Sequence, residues 1–221
     1  MVMQRWRGLV VAPMAALMLA APALAQDGTP TPAAESARNV NASACVVEPR
    51  AYDEIATILD LNGAGIPQPP ATTITPPLGT VVGAETDAAI KDVARQVLAC
   101  FNAGDIPRAA ALMTDNGVKR AYWGLTIDEE NRELARTRLA APAEPRAEEV
   151  YIRLITITDA STLPDGRVAA FVILNEPLLP PNGPETLLFV FANQDGVWKV
   201  DDYIDFSIVP PNYGSEATPE V

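Results

Sequence analysis

Residues 97–117 read VLACFNAGDIPRAAALMTDNG. An apolar helical pattern stops at Asn-Ala-Gly-Asp, and a second pattern begins at once. Upstream, Ile90, Val93, Ala94, Val97, Leu98 and Phe101 recur at helical spacing and form one stripe over three turns. Thr86 is a good N-cap for this long helix, and Asp87 stands in its first turn, where the helix dipole favours an acid. Gly104 sits where a glycine ends a helix. Asp105 can cap the next helix and Pro107 fits its first turn. That second helix is short, carries Ala110, Ala111, Leu112 and Met113, and ends at Asn116-Gly117.

Downstream of this pair, VKRAYWGL (118–125) reads as a short strand. Residues 127–139 contain DEENRELARTRL, a charged helix closed by Pro142 and Pro145. From Glu148 onward the pattern is β. EEVYIRLITIT, RVAAFVILNE, ETLLFVFAN and VWKVDDYIDFSIV are four runs rich in β-branched and aromatic residues. LPDGR and NQDGV mark turns between neighbours, with Asp195-Gly196 the strongest hairpin signal, and NEPLLPPNGPE is a longer loop. Strands joined in this order make an antiparallel meander.

The N-terminal side is organised differently. Residues 1–25 have the pattern of a secretory signal peptide: Arg5 and Arg7, an apolar run, then Ala23-Leu24-Ala25. Residues 26–44 are polar and poor in large apolar groups, which predicts a disordered arm. In residues 45–61, Tyr52, Ile55, Ala56 and Leu59 share one helical face, so a short helix should dock on the main domain. Residues 62–83 are rich in proline and glycine and read as an extended linker. The core domain spans 84–208, and 209–221 forms a flexible tail.

The chain carries a net charge of −12, and removing residues 1–25 makes it more acidic, since they hold two arginines and no acid. Such a chain repels phosphate, which disfavours nucleic acid and anionic membranes as partners. After the leader no apolar run approaches a membrane span. Two cysteines, Cys45 and Cys100, are an even pair in a chain with an export signal, which favours a disulfide over two buried thiols. The chain has no histidine. That excludes a Ser-His-Asp triad, a Cys-His pair and a His-carboxylate iron site. Two thiols without histidine also fall short of a zinc set, so no metal is expected. A phosphate loop, a dinucleotide glycine pattern and a calcium loop are absent too, and no cofactor is expected.

The order of elements resembles the nuclear-transport-factor-2-like (SnoaL-like) superfamily, an α+β cone. FNAGDIPRAAALMTDNG is similar to its helix–break–helix, and DGVWKVDDYIDF to its penultimate turn and last strand. The resemblance covers about 84–208. It implies a curved antiparallel sheet wrapped around the long N-terminal helix, enclosing a cavity, here with an extra N-terminal helix and a Pro-rich linker. The superfamily includes isomerases, polyketide cyclases, dehydratases, transport adaptors and domains without known catalysis, so the resemblance implies a fold and leaves activity open.

Read with period two, the last strand puts Trp198, Val200, Asp202, Ile204 and Phe206 on one face. Asp202 is then a carboxylate on an apolar face: a proton carrier at a cavity, or a residue turned outward by a bulge, or half of an ion pair. On this reading it has no second internal acid beside it, and Asp201 and Asp205 are surface charges. Tyr122 and Trp123 border the cavity in the implied fold and, with Trp198 and Phe101, form the candidate ligand-binding set. The interior strands at 168–174 and 187–192 are apolar on both faces. The outer face therefore needs a cover, either a second copy packed sheet to sheet or the docked helix. Together these readings describe an extracytoplasmic, non-enzymatic domain that binds a small, mostly apolar molecule or acts as an accessory module. The alternatives are an isomerase, cyclase or dehydratase using Asp202, and a structural interaction domain with a filled cavity.

Overall fold

The computed structural model describes residues 38–70, 79–178 and 183–206. The leader, residues 26–37 of the arm, residues 71–78 of the linker, residues 179–182 and 207–208 of the core domain and the tail 209–221 lie outside the described residues. The described chain is α+β, with helices on one side of an antiparallel sheet.

The long helix α2 runs Ala84–Asn102, about 28 Å at 1.5 Å per residue. Its buried stripe is Ile90, Ala94, Val97 and Leu98, as the spacing predicts, with Val93 and Phe101 partly buried beside it. The helix begins one turn earlier than expected, with Gly83 and not Thr86 as N-cap. Asp87 accepts the Ala160 N–H at 2.8 Å and pairs with Lys91 at 2.7 Å, which ties the helix to the connection between the strands at 153–157 and 161–162. The break falls where expected. Gly104 has φ +64°, and a Cβ there would lie 2.1 Å from the Glu144 carbonyl oxygen, so only glycine fits. Asp105 caps α3 (Ile106–Ala111) by accepting the Arg108 N–H at 3.0 Å.

The next segment corrects the sequence reading. Residues 118–125 form no strand. They belong to α4 (Asp115–Tyr122) and a following 3₁₀ turn, Trp123–Thr126. Thr114 starts α4 by accepting the Gly117 N–H at 3.0 Å, Asp115 lies in its first turn and Lys119 and Arg120 in its last. Asn116-Gly117, expected to end a helix, sits inside one. A Cβ on Gly117 would lie 2.3 Å from the Val200 carbonyl oxygen, so glycine lets α4 lie directly on the last strand. Helix α5 (Glu129–Ala140) is the expected charged helix, capped by Asp128.

Among the described residues the sheet has six strands: β1 (Arg38–Asn39), β2 (Arg153–Ile157), β3 (Ser161–Thr162), β4 (Val168–Asn175), β5 (Pro184–Gln194) and β6 (Val197–Asp205). Their order is β1-β2-β4-β5-β6, all antiparallel, with β3 pairing β4. The β5–β6 hairpin turns at Asp195 and Gly196, both at positive φ. The expected meander is thus present, with β2 starting later than its apolar run because 148–150 form a 3₁₀ turn.

The N-terminal segment is also more ordered than its composition predicts. Residues 38–39 pair with β2, and Val40 is buried. A buried Asn102 side chain ties them to α2: its amide donates to the Val40 and Ile152 carbonyls at 2.8 and 3.0 Å and accepts the Ile152 N–H at 2.8 Å. Cys45 and Cys100 form a disulfide with a sequence separation of 55. A loop that long stabilises the fold by about 4 kcal/mol in the chain-entropy model. Helix α1 (Tyr52–Ile58) buries Ile55 and Ala56, and packs on α3, α4 and α5. It therefore does not cover the outer sheet face. There Leu188 and Val190 are fully buried in the single chain, clustered with Leu163 and Ala169 against Phe171, Ile204 and Phe206. At these positions the burial need that argued for a second copy is already met.

Candidate functional site

Alternation assigns the inner face of β5. Leu187, Phe189 and Phe191 join the core that includes α2, whereas Leu188 and Val190 belong to the outer cluster. On β6, Val200 pairs with Phe191, but Asp202 pairs with Val190, so one residue is inserted at Asp201. This bulge reverses the alternation beyond it. Trp198 and Val200 stay with the core, whereas Asp202 and Ile204 fall with the outer residues Val190 and Leu188. Tyr203 and Asp205 then pair with Phe189 and Leu187 on the inner face.

The bulge settles the position of Asp202, which is 2% exposed and is not among the cavity-lining residues. Its Oδ1 accepts the Tyr203 N–H at 2.8 Å and lies 3.2 Å from Arg120 Nε. Its neighbour Asp201 is no surface charge. It accepts the Thr114 hydroxyl at 2.6 Å and Arg167 Nη1 at 2.8 Å, while its carbonyl accepts from Asn116. Both acids therefore anchor α4 and the sheet edge.

Between α2, the break after it and the inner sheet face lies a cavity of about 770 Å³. Val97, Leu98, Met113, Leu174, Leu187 and Phe189 give it an apolar wall. Of the four expected binding residues, Phe101 and Tyr122 line it; Trp123 and Trp198 do not. Trp198 lies on the inner side and packs partly buried against the core, and Trp123 begins the 3₁₀ turn.

Tyr122 is 8% exposed, and its hydroxyl has no hydrogen-bond partner among the described residues. Burial, with smaller contributions from Tyr203 and Asp105, pushes its pKa far above the ordinary phenol value. Tyr203 is raised as well, by burial first and then by Asp205 and Asp202, with Arg120 opposing.

One end of the cavity carries acids that the sequence reading did not place there. Glu185 of β5 pairs with Leu174 of β4, on the inner face. Glu176, two residues past Leu174, and Asp205, opposite Leu187, are its diagonal neighbours and line the same cavity. Diagonal positions stand roughly 7–8 Å apart, within reach of long side chains. Glu176 pairs with Arg146 at 2.5 Å. Glu185 is 6% exposed, and its Oε1 has no partner among the described residues. Burial first, then Asp205 and Glu176, hold its carboxyl above the usual carboxylate range. So the expectation that Asp202 is the lone internal acid is reversed. The signal for Glu185 was present in its alternation with Leu187, Phe189 and Phe191. Asp205 was hidden by the bulge.

Among the described residues, no group of three or more acids and cysteines is arranged to hold a metal ion, and no helix is long and apolar enough to cross a membrane. Comparison with known protein families, curated proteins and solved structures finds no match to this chain.

Proposed function

We propose that the protein is an exported domain of the nuclear-transport-factor-2-like kind whose cavity binds a small, mostly apolar molecule. The observation that carries this reading is the cavity of about 770 Å³, with an apolar wall at Val97, Leu98, Met113, Leu174, Leu187 and Phe189 and charged residues elsewhere in its lining. Small-molecule sites have this size, about 300–1,000 Å³, and combine an apolar wall with polar groups that fix orientation. A binding role without catalysis fits an Asp202 engaged with Arg120 and lying outside the cavity lining. The disulfide is consistent with an oxidising, extracytoplasmic location.

Titration of the purified protein with the neutral apolar dye Nile red tests the reading. The expected result is a fluorescence rise that saturates at one dye per chain. Ala121→Trp, which places a large ring in the cavity wall, should abolish it while the circular dichroism spectrum stays unchanged. Unsaturable binding, or saturable binding indifferent to a folded Ala121→Trp protein, would sink the proposal. Native mass spectrometry of gently purified protein would then show which molecule it retains.

A further inference from the structure

The described parts of the linker stop at opposite ends of one row of the sheet. Its first part follows the helices: Arg132 Nη1 donates to the Ala64 carbonyl at 3.0 Å, and the Thr126 hydroxyl to that of Ile66 at 3.3 Å. That part ends at Pro70, whose carbonyl accepts from Arg120, the residue that also pairs with Asp202 of β6. The chain returns at Gly79, whose N–H donates to the Thr162 carbonyl at 2.9 Å, and Val81 then bridges Ser161 of β3. Across the sheet, Ser161 pairs with Ala169, Ala169 with Val190, and Val190 with Asp202. One row of neighbours therefore joins the two ends. Burial peaks along it. Ala169 and Val190 are fully buried, and Ser161 and Asp202 nearly so. Away from the row the outer residues Ile173 of β4 and Thr186 and Ala192 of β5 are only half-buried. The helices do not account for this, because α2 and α4 meet the sheet chiefly at β2 and β6 and the core they share excludes Ala169, Leu188 and Val190.

We propose that the outer face of the sheet around Val190 is the docking surface for residues 71–78 of the same chain, with Ile74 and Leu78 as the apolar anchors. Length permits it. The chain from Pro70 to Gly79 reaches at most about 30 Å when extended. The row from Val81 to Asp202 spans four strand spacings, about 19 Å. With helices on the inner side, the direct path between the two ends runs over Val190. Composition suits it as well. Residues 71–78 read ATTITPPL, without a charge. Pro76 and Pro77 bring no N–H that an apolar surface would leave without an acceptor. Ile74 and Leu78 match a face of Leu163, Leu188, Val190 and Ile204. The face that a second copy could cover is then occupied from within one chain, and the protein is a monomer. This inference is independent of the ligand-binding reading, because the cavity lies on the other side of the sheet.

A double-mutant cycle on the purified protein tests it, read by urea unfolding at pH 7. Ile74→Ser combined with Leu78→Ser should raise the unfolding constant about tenfold, the scale of losing part of the burial of two large apolar side chains. Phe171→Ala alters the face itself at a half-buried position next to Leu188. Made together, the linker and face changes should raise the constant about fivefold less than the product of their separate effects, because groups in contact couple. Leu188→Val closes a second cycle if Phe171→Ala does not fold. Light scattering on a sizing column should give the parent the mass of one chain. Strictly additive effects, or an unchanged unfolding constant in the Ile74 and Leu78 variant, would overturn the proposal. A dimeric parent that Phe171→Arg converts to a monomer would overturn it too, by making this face an interface between copies.

Discussion

Asp202 and Glu185 are buried carboxylates on adjacent strands, and their surroundings are opposite. Asp202 has a backbone N–H at 2.8 Å and an arginine at 3.2 Å, and lies among outer-face residues at the α4 edge of the sheet. Glu185 lies on the inner face beside two further acids, with one oxygen unpartnered among the described residues. Burial alone does not distinguish a structural acid from one built for a ligand. The distinction is whether the protein supplies the partners itself.

The comparison breaks most visibly if Asp202 proves dispensable. Asp202→Ala removes an acceptor from a buried arginine and from a backbone N–H, and should destabilise the fold by about 2–3 kcal/mol. Urea unfolding at pH 7 reads this as a fall in midpoint with an unchanged slope. Nile red binding to the folded fraction should be unaffected. A variant of unaltered stability that loses the dye would move the binding role to Asp202.

Tyr122→Phe should act in the other direction and more weakly. The change deletes a hydroxyl with no partner among the described residues and keeps the ring that packs against the core. Removing such a group should leave stability unchanged or raise it by up to about 1 kcal/mol. A loss of about 1 kcal/mol by the same urea assay would mean the hydroxyl has a partner, and would take away one of the two unsatisfied atoms at the cavity.

What the sequence makes legible follows from how local each signal is. The stop at Gly104, the cap at Asp105 and the Asp195-Gly196 hairpin are set by backbone preferences of one or two residues, and all three are present. The α2 stripe is a repeated local pattern and is present too. Residues 118–122 are helical and not extended because the Thr114 cap outweighs their alternating look, and because Gly117 serves a contact with β6 that is distant in sequence. The arm at 38–40 has the composition of a disordered segment, yet Asn102, about 60 residues away, holds it. At the site, Tyr122 lines the cavity where the resembling fold implies and Phe101 does so from the α2 stripe, whereas Asp202 falls on the other face because of a single inserted residue. A bulge flips every side chain after it, so an error of one position exchanged Asp202 for Tyr203 and Asp205. The Asp201-Asp202 doublet, where the apolar alternation falters, was the only local hint.

The smallest effect concerns Glu185, and its sign decides the comparison. Its carboxyl is held above the usual range in the folded protein, by burial first and by Asp205 and Glu176 next. The folded state therefore binds more protons than the unfolded state between the two pKa values, and stability falls as pH rises through that window. Below the unfolded value the protonated acid carries no penalty; above the folded value the full penalty is present. Glu185→Gln removes the charge while keeping the shape, so the variant should be more stable than the parent at pH 7.5. The advantage should shrink on acidification and vanish below the ordinary carboxylate pKa. Thermal unfolding of both proteins across pH 3.5–7.5 measures it. If the parent is the more stable at pH 7.5, the protein itself supplies a partner for Glu185, and the carboxylate belongs with Asp202 as part of the scaffold. If the variant is the more stable, the folded chain holds the Glu185 charge at a net cost.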